Sequence, residues 1–293
     1  MKDAFYWSFF RVAQALPERV LICLGRGLGR IMWAVLGSRR RESTRSVQER
    51  LNLSPDWAKV VAKASFINSG QSFMEIFMTR NVDWRFLDRV EIPDMASLVA
   101  LAELDRPIIG VTGHMGAWEL LAGMLNLFVP EGRPNQVVVR LPKDRELGLL
   151  MLHMRTLARV EIVRHRQAVK SVLRCLRKNG VSAFLVDHNT MVEEATFIPF
   201  LGLEAAVNIG PAVLAVRSQA TILPIFLVRR EPKGYRLVWE TPLDTRDLQG
   251  PIGERIEAAA RFYTEAVERI VRAYPEQWFW MHRRWKTRPE DCL

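Results

Sequence analysis

The chain has 293 residues and a formal net charge of +10, from 42 Lys and Arg against 32 Asp and Glu. Hydrophobic residues make up 49% of it and charged residues 25%, which excludes a disordered chain and allows a substantial core. The three cysteines lie far apart in the sequence, which excludes a disulfide framework or a cysteine-rich zinc site and fits a reducing compartment.

The positive charge comes mostly from arginine, because 34 of the 42 basic residues are Arg and 8 are Lys. Arginine binds phosphate and carboxylate through its planar fork, so we expect an anionic partner: phospholipid, a phosphorylated glycolipid, an acidic protein or nucleic acid. Nucleic acid is disfavoured, since the sequence has no zinc-finger spacing, no basic region with heptads and no aromatic RNA-binding signature. Many of the arginines are expected on solvated helix faces.

Two apolar segments near the N-terminus indicate a membrane surface. Residues 4–16 are rich in aromatic side chains, and residues 20–36 form an apolar run that contains Arg26 and Arg30 and leads into a basic triplet at 39–41. Embedded arginines favour a helix that lies in the membrane interface over one that spans the bilayer. An ordinary buried helix pair and a single spanning helix are the alternatives. No cleavage site for a signal peptide is evident.

Beyond residue 50, helical and strand patterns alternate along the chain. Helices are predicted at 55–80, 94–104, 117–128, 145–158, 167–178, 210–218 and 252–274. Strands are predicted at 107–113, 136–140, 160–164, 182–187, 222–229 and 235–240, the last as an edge strand. The fold class is therefore α/β, with a central, mainly parallel or mixed sheet flanked by helices. Residues 1–80 are expected to form a helical, membrane-facing extension of the same domain, and residues 81–293 its α/β core.

The segment His-Met-Gly-Ala-Trp-Glu at 114–119 spans a predicted junction between a strand and a helix. Residues five apart on one helix point about 140° away from each other, so His114 and Glu119 meet only if His114 precedes the helix. An imidazole oriented by a carboxylate suits a general base for a hydroxyl nucleophile, and a helix N-terminus keeps that base neutral. We therefore predict that His114 is the base, that Glu119 orients it, and that backbone N–H groups of Gly116 and Ala117 stabilise an oxyanion.

The same spacing occurs a second time, from His188 to Glu193, so the spacing alone is weak evidence. The second copy also follows an apolar run, but a polar segment comes after it instead of an apolar helix. We interpret this copy as a decoy for catalysis that can still belong to the same site. A core or capping histidine is the alternative interpretation of His114.

Two charged residues end predicted strands, where the crevice of an α/β fold lies. Arg140 follows one strand and Asp187 follows another, so both are candidates for the site, although Arg140 is equally compatible with a surface position. Residues 197–202 are predicted to form an apolar loop that either walls an acyl channel or packs in the core. The segment 275–289 interleaves four aromatic with five basic residues, which fits cation–π packing, a membrane anchor or a phosphate clamp.

Segment 275–289 resembles the terminal signature of the bacterial lipid A late acyltransferases, the lauroyl/myristoyl-type enzymes of the lysophospholipid acyltransferase superfamily. The His-x4-Glu motif fits the same family. The block 140–142, with Arg155 beyond it, resembles the family's Arg-x-Pro segment and following Arg. The block 187–189 resembles its acidic segment, and 197–202 its Phe-x-Pro-Phe-x-Gly loop. This sequence departs from the family at Asn189, where some members carry a second Asp, and in the segment that follows.

The resemblance implies a glycerolipid acyltransferase-like fold and a fatty acyl transfer from an acyl thioester to a hydroxyl of a lipid A precursor. The donor is expected to be acyl carrier protein, or else acyl coenzyme A, with no other cofactor and no metal. Arg140 and Arg155 would bind the acceptor phosphate or the phosphopantetheine of the donor. Asp187, His282 and Arg283 are further candidates for substrate binding. The expected location is the cytoplasmic face of the inner membrane, with monotopic attachment or a single N-terminal anchor.

The sequence has no Gly-x-Ser-x-Gly elbow and no evident Cys–His pair, which predicts direct transfer without an acyl-enzyme. The basic surface is expected to bind acidic carrier protein and anionic lipid. Acylation of another glycolipid or of a phospholipid is one alternative, and a thioesterase that uses the same dyad on water is another. A catalytically silent membrane scaffold is disfavoured by the His–Glu motif together with the Arg and Asp blocks.

Overall fold

The computed structural model describes residues 8, 11–142, 144–156, 160–165 and 168–292. The longer helices of this part are α1 Glu18–Val35, α2 Gly37–Leu51, α3 Pro55–Glu75, α4 Met95–Glu103, α5 Trp118–Phe128, α6 Arg145–Thr156, α7 Ala168–Leu176, α8 Gly210–Arg217 and α9 Ile252–Ala273. The strands are β1 Val90–Glu91, β2 Ile108–Thr112, β3 Asn135–Val139, β4 Glu161–Arg164, β5 Val181–Leu185, β6 Ala195–Phe200, β7 Leu203–Asn208, β8 Thr221–Arg229, β9 Tyr235–Trp239 and β10 Leu243–Asp244. The helices and strands predicted from residue 55 onward are all present, with boundaries shifted by a few residues.

The main sheet has the strand order β1-β9-β8-β2-β5-β3-β4, and β10 pairs with β8. The five strands from β8 to β4 are parallel to one another, whereas β9 and β10 run antiparallel to β8. The fold is therefore a mainly parallel α/β sheet covered by helices, as predicted. The segment 235–240 is not fully an edge, because β1 pairs with the first two residues of β9.

Strand β2 lies at the centre of the sheet because its sequence is apolar on both faces. All five of its residues are buried, as parallel strands between two helical layers require. Its neighbour β5 is aligned so that Ile108 lies opposite Val181 and Thr112 opposite Leu185. The carboxyl ends of β2 and β5 therefore lie side by side, and the residues that follow each strand emerge at the same edge of the sheet.

The segment 197–202 forms a β-hairpin, so the prediction of an apolar loop is wrong. Strands β6 and β7 pair along their whole length and are joined by Leu201 and Gly202, whose φ angles are 51° and 77°. Two consecutive residues with positive φ are what a tight hairpin turn needs, and glycine adopts this conformation readily. Phe200 is buried and its ring packs 5.5 Å from that of Trp278. The hairpin packs in the core.

The first helix packs against α3 through glycine. A Cβ atom added at Gly29 would lie 2.4 Å from the Phe66 carbonyl oxygen, and one added at Gly70 would lie 2.4 Å from the Gly29 nitrogen. The two backbones are in direct contact as a result, and α1 uses its small face for this packing. The predicted apolar helix at 20–36 corresponds to α1, whereas the aromatic residues of segment 4–16 lie outside the described residues.

Among the described helices, none is by itself both long enough and apolar enough to cross a membrane. Helices α1 and α2 meet the length and composition requirements only as a pair, and they are bent by 96° where they join.

Helices α2 and α3 hold the C-terminal segment in place. The Ser43 hydroxyl donates to the Trp280 carbonyl oxygen at 3.0 Å, and the Asn68 amide donates to the Glu276 carbonyl oxygen at 2.9 Å. A buried ion pair between Glu75 and Arg229 ties α3 to β8. The N-terminal helices are thus packed on the same edge of the sheet at which β2 and β5 end.

Candidate active site

His114 lies in the turn between β2 and α5, as the spacing of the motif predicts. The C-terminal segment holds this turn: the Phe279 N–H donates to the His114 carbonyl oxygen at 3.0 Å, and Met115 forms a β-bridge with Trp278. Gly116 has a φ of +56°, and a Cβ atom there would lie 2.3 Å from the Leu227 carbonyl oxygen. Only glycine fits this position, so the residue shapes the turn that presents the histidine.

Asp187 is the carboxylate that holds His114. The Nδ1 atom of His114 lies 2.8 Å from Oδ1 of Asp187, and the backbone N–H of His114 donates to Oδ2 at 2.8 Å. The indole N–H of Trp278 donates to the same Oδ2 at 2.8 Å. The prediction that Glu119 orients His114 is therefore wrong. The adjacent ends of β2 and β5 bring Asp187 to the imidazole, and the motif itself does not supply its partner.

The charges of this pair are mutually stabilised. Burial alone would raise the pKa of Asp187, but His114 and the indole of Trp278 outweigh burial and hold that pKa well below its usual range. Burial alone would lower the pKa of His114, but the charge of Asp187 and its hydrogen bond raise it above the ordinary value. Because the Asp187 carboxylate can only accept a hydrogen bond, Nδ1 of His114 carries the proton and the neutral imidazole has its lone pair on Nε2. The His114 side chain is 34% exposed, so this lone pair can serve a substrate.

Glu119 instead binds Arg155 at the start of α5. Nε of Arg155 donates to Oε2 at 3.0 Å and Nη2 donates to Oε1 at 2.7 Å, while the indole of Trp118 donates to Oε1 at 3.2 Å. Burial alone would raise the pKa of Glu119, but Arg155 outweighs it and lowers the pKa. The charge of Glu119 also raises the pKa of His114. Glu119 therefore acts on His114 through the electric field and holds Arg155 through hydrogen bonds.

The predicted role of Arg155 needs revision for the same reason. Two of its three nitrogens are committed to Glu119, so it is not a free phosphate ligand. Its Nη1 atom is buried and has no hydrogen-bond partner in the part of the chain that the structure describes. Glu119 thus holds the guanidinium of Arg155 in place, and the Nη1 of that guanidinium makes no hydrogen bond to the described residues.

The predicted oxyanion donors are already occupied. The Gly116 N–H donates to the Gln277 carbonyl oxygen at 3.1 Å, and the Ala117 N–H donates to the Leu227 carbonyl oxygen at 2.8 Å. Both groups fasten the turn to the C-terminal segment and to β8. The prediction that they stabilise an oxyanion is wrong, because neither N–H faces an open position.

The remaining predicted site residues, Arg140, His282 and Arg283, differ in their exposure and in their hydrogen-bond partners. Arg140 follows β3 and is exposed, and its charge lowers the pKa of the nearby His188. His282 accepts a hydrogen bond at Nε2 from the Asn189 N–H at 2.7 Å, and burial lowers its pKa to about 4. Arg283 is half-exposed and pairs with Glu42 of α2 at 3.1 Å. Arg140 is therefore more available than Arg283 as a cation, and the half-buried His282 accepts a backbone hydrogen bond.

The C-terminal segment is structural at its centre. Trp278 and Trp280 are 1% and 3% exposed and pack edge to face with centroids 4.6 Å apart, so these two rings are not a membrane anchor. Arg284 is also buried; it donates to the Ala206 carbonyl oxygen, and burial lowers its pKa to about 10. The contact of Trp278 with Asp187 was missed from the sequence. The density of tryptophan in the segment was the available signal, but it did not indicate a partner.

The chain is similar to known acyltransferases over nearly its full length. The model of the family described as bacterial lipid A biosynthesis acyltransferase matches residues 2–287. The lipid A biosynthesis lauroyltransferase of Escherichia coli K12 is 28% identical over 284 residues, which are 94% of this chain and 88% of that protein. A lipid A biosynthesis acyltransferase of Haemophilus influenzae is 24% identical over 98% of this chain and 92% of its own length.

A solved structure also matches the chain: the 1-acyl-sn-glycerophosphate acyltransferase of Thermotoga maritima. It covers 88% of this chain and 96% of its own, with 16% identity and a TM-score of 0.38.

Proposed function

This chain belongs to the bacterial lipid A biosynthesis acyltransferase family and is an acyl-transferring enzyme, and we propose that it acylates a hydroxyl group of a lipid A precursor. The donor in this proposal is an acyl thioester carried by acyl carrier protein. The observation that carries the mechanism is the hydrogen bond between His114 Nδ1 and the buried Asp187, which leaves Nε2 as the base.

His114 starts the reaction as a neutral imidazole. Its Nε2 takes the proton of the acceptor hydroxyl while the hydroxyl oxygen attacks the thioester carbonyl carbon. The tetrahedral intermediate then expels the thiolate, which recovers the proton from His114, so that an ester and a free thiol are formed. Asp187 keeps the proton of the neutral imidazole on Nδ1. It also stabilises the positive charge of the transient imidazolium, as a buried carboxylate does in other hydroxyl-activating sites. Asp187 is in this sense a positioning residue.

Arg155 replaces the backbone donors that the sequence suggested. The positive charge of Arg155 acts on the site through the electric field, since it lowers the pKa of His114, and we assign to this charge the stabilisation of the negative charge that develops on the thioester oxygen. The guanidinium is held in place by its bidentate pairing with Glu119. Glu119 thus serves the reaction by fixing Arg155.

Charge supports an acidic donor and an anionic acceptor. The net charge of +10 favours encounter with an acidic carrier protein, and exposed Arg140 beside the site suits the phosphate of phosphopantetheine or of the glycolipid. Electrostatic attraction of this kind raises the association rate and weakens with salt.

The outer face of α1 suits attachment at the cytoplasmic face of the inner membrane. Five of its apolar side chains form an exposed stripe at helical spacing: Val20, Leu24, Leu28, Ile31 and Val35. Exposed Arg26 and Arg30 lie on the same helix. An apolar stripe beside arginines is the composition of a helix that lies in the headgroup region of an anionic bilayer.

The membrane proposal is tested by vesicle flotation. Replacing Leu28 and Ile31 with Glu is expected to release the protein from vesicles of anionic phospholipid, while replacing exposed Val169 on α7 with Glu leaves binding unchanged. Unchanged flotation of the α1 variant would assign the attachment to another surface.

The functional proposal is tested by product mass. Purified protein is incubated with acyl carrier protein thioesters and a tetra-acylated lipid A precursor, and a gain of one acyl mass on the precursor is expected. Consumption of the thioester without any change in the precursor would show that the acceptor is another lipid or water. Equal rates with acyl coenzyme A would contradict the assignment of acyl carrier protein as donor.

A further inference from the structure

The net positive charge of the chain is concentrated in two short segments. Residues 37–51, which form α2, and residues 281–291 of the C-terminal segment together contain nine basic and four acidic residues. Their net charge is therefore +5, which is half of the +10 of the whole chain. Of the nine basic residues, Arg284 is buried. The other eight are exposed or half-exposed: Arg39, Arg40, Arg41, Arg45, Arg50, Arg283, Lys286 and Arg288.

These two segments lie side by side and form one surface, which we call the α2 surface. Near the start of α2, Nε of Arg283 donates to Oε1 of Glu42 at 3.1 Å. Near its end, the guanidinium of Arg50 lies 5.9 Å from the centroid of the Trp285 ring. Glu42 also pairs with Arg39 at 3.1 Å, so two cations share one carboxylate. The α2 surface therefore stays positive even where it contains ion pairs.

The arginines on the outside of α2 do not stabilise the helix that carries them. Arg41 and Arg45 are exposed and one turn apart, and neither has an ion-pair partner among the described residues. Like charges at this spacing destabilise a helix. The arginines at 39–41 also lie near the helix N-terminus, where the helix dipole favours acidic side chains. This arrangement becomes favourable when an anionic partner covers the helix.

The α2 surface borders the candidate active site. The Asn189 N–H, two residues beyond Asp187 in the loop after β5, donates to Nε2 of His282 at 2.7 Å. Burial is the main cause of the lowered pKa of His282, and the charges of His114 and of Arg39 lower it further. The base and the first arginine of α2 thus act on the same imidazole. A partner on the α2 surface lies next to the loop that carries Asp187.

The α2 surface is charged but not apolar, which distinguishes it from α1. The exposed apolar side chains of α1 end at Val35 and Leu36, and no large apolar side chain is exposed among the described residues 37–51 and 281–291. Attachment to a bilayer draws on buried apolar area as well as on charge. Helix α2 is also bent by 96° away from α1 and its apolar stripe. An acidic protein therefore fits the α2 surface better than a bilayer does.

We propose that the α2 surface is the docking site of the acyl carrier protein that delivers the thioester. The inference rests on the proposed acyl transfer and adds the place at which the protein part of the donor binds. The carrier protein is acidic and holds its acyl group on a flexible phosphopantetheine arm, so the protein stays on the surface while the thioester reaches His114. Charge suits a partner that binds and leaves in every turnover, because charged rims mainly raise the association rate.

The test compares two donors of the same acyl group, the carrier-protein thioester and the acyl-pantetheine thioester, which lacks the protein. Both are assayed with the lipid acceptor in detergent micelles. The double variant Arg41→Glu/Arg45→Glu reverses two exposed charges of the α2 surface. Its kcat/KM with the carrier-protein thioester is expected to fall by about 10- to 100-fold at low salt, mainly through KM, as loss of electrostatic attraction allows. Its kcat/KM with acyl-pantetheine is expected to stay at the wild-type value.

Arg174→Glu/Lys178→Glu is the matched control. Both residues are exposed and four positions apart at the end of α7, so the control makes the same change of net charge outside the α2 surface. It is expected to keep the wild-type kcat/KM with both donors. Equal losses in the two double variants would show that net charge alone attracts the carrier protein. Equal losses with the two donors would show that the α2 charges act on the site itself. Either result overturns the proposal.

A binding measurement separates this inference from the acyl transfer on which it rests. Carrier protein that holds phosphopantetheine without an acyl group is titrated at low salt, and Arg41→Glu/Arg45→Glu is expected to bind it about tenfold or more weakly than the wild type. If no lipid is acylated but this loss of binding is found, the acceptor proposal fails and the docking proposal stands. If the carrier protein binds both proteins equally, or neither, the docking proposal fails. Lost vesicle flotation with unchanged carrier binding would assign the α2 surface to the bilayer instead.

Discussion

The chain contains two histidines, each with a glutamate five positions later, at the ends of neighbouring strands: His114 after β2 and His188 after β5. The first lies in a turn fixed by the C-terminal segment, shares its Nδ1 proton with buried Asp187, and has a raised pKa. The second has its pKa lowered by burial to about 4, and Glu193 lies exposed in a short 3-10 turn. The same spacing thus gives one histidine paired with a buried carboxylate and one half-buried histidine with a lowered pKa.

The difference comes from the sheet and not from the motif. Asp187 immediately precedes His188 in sequence, yet its carboxylate bonds His114 across the boundary between two strands. The carboxyl ends of β2 and β5 lie side by side, so the carboxylate that follows β5 reaches the imidazole that follows β2. His114 has a carboxylate partner because the segment after the neighbouring strand supplies it.

Removing the charge of Asp187 is expected to have the largest effect on the reaction. Asp187→Asn is expected to lower kcat by about 10²- to 10⁴-fold with little change in KM, because the imidazole loses its tautomer and the stabilisation of its charged form. Steady-state kinetics with a melting curve on each protein checks this. A folded variant with a near-wild-type kcat would show that Asp187 does not position the base.

The glutamates of the two His-x4-Glu motifs, Glu119 and Glu193, allow a matched pair of substitutions. Glu119→Gln leaves buried Arg155 without its counter-charge and is expected to cost about 3 kcal/mol of unfolding free energy, together with activity. Glu193→Gln changes an exposed side chain and is expected to stay within about 0.5 kcal/mol of wild type. Denaturant titration measures both, and equal losses would contradict the distinction between the two copies.

The indole of Trp278 supports the carboxylate of Asp187 through one hydrogen bond. Trp278→Phe removes one hydrogen bond to Asp187 but keeps most of the buried ring, so kcat is expected to fall by about three- to tenfold, corresponding to roughly 1 kcal/mol. Trp280→Phe is the control, because its indole donates to the Pro275 carbonyl oxygen and not to the site. Equal kinetic losses in the two variants would mean that general packing, and not the bond to Asp187, matters.

The pH profile tests the raised pKa of His114. Only the neutral imidazole accepts a proton, so kcat/KM of the wild type should fall as the pH drops through that pKa, with half its maximum above pH about 6.5. Asp187→Asn removes the main cause of the increase, so its residual activity should reach half-maximum at a lower pH. If the pH of half-maximal kcat/KM on the acidic side were the same in Asp187→Asn as in the wild type, Asp187 would not be the cause of the raised pKa of His114.

Much of the fold could be predicted from the sequence because its signals are local. The buried run before His114, the apolar stripe of α5 and the stop at Asn179-Gly180 gave elements within a few residues of their observed bounds. The position of His114 in a strand-to-helix turn followed from the same patterns. Residues 197–202 were misread, because a two-residue turn with Leu at its first position carries only one glycine as a signal.

The partners in the site could not be predicted, since they depend on strand order. Strands β3 and β4 intervene in sequence between β2 and β5, yet β2 and β5 are adjacent in the sheet. Nothing local to Asp187 shows that it faces His114, and nothing local to Glu119 shows that Arg155 occupies it. The hydrogen bonds that occupy the Gly116 and Ala117 N–H groups come from distant carbonyls, which a motif does not reveal.

The most direct test of His114 as the base compares the transfer rates of His114→Ala and His188→Ala, measured with carrier-protein thioester and lipid A precursor. We expect the rate of His114→Ala to fall by about 10²- to 10⁴-fold, the usual contribution of a general base, and that of His188→Ala to stay within about tenfold of wild type. Equal rates in the two variants, or a larger loss in His188→Ala, would contradict the assignment of His114 as the base.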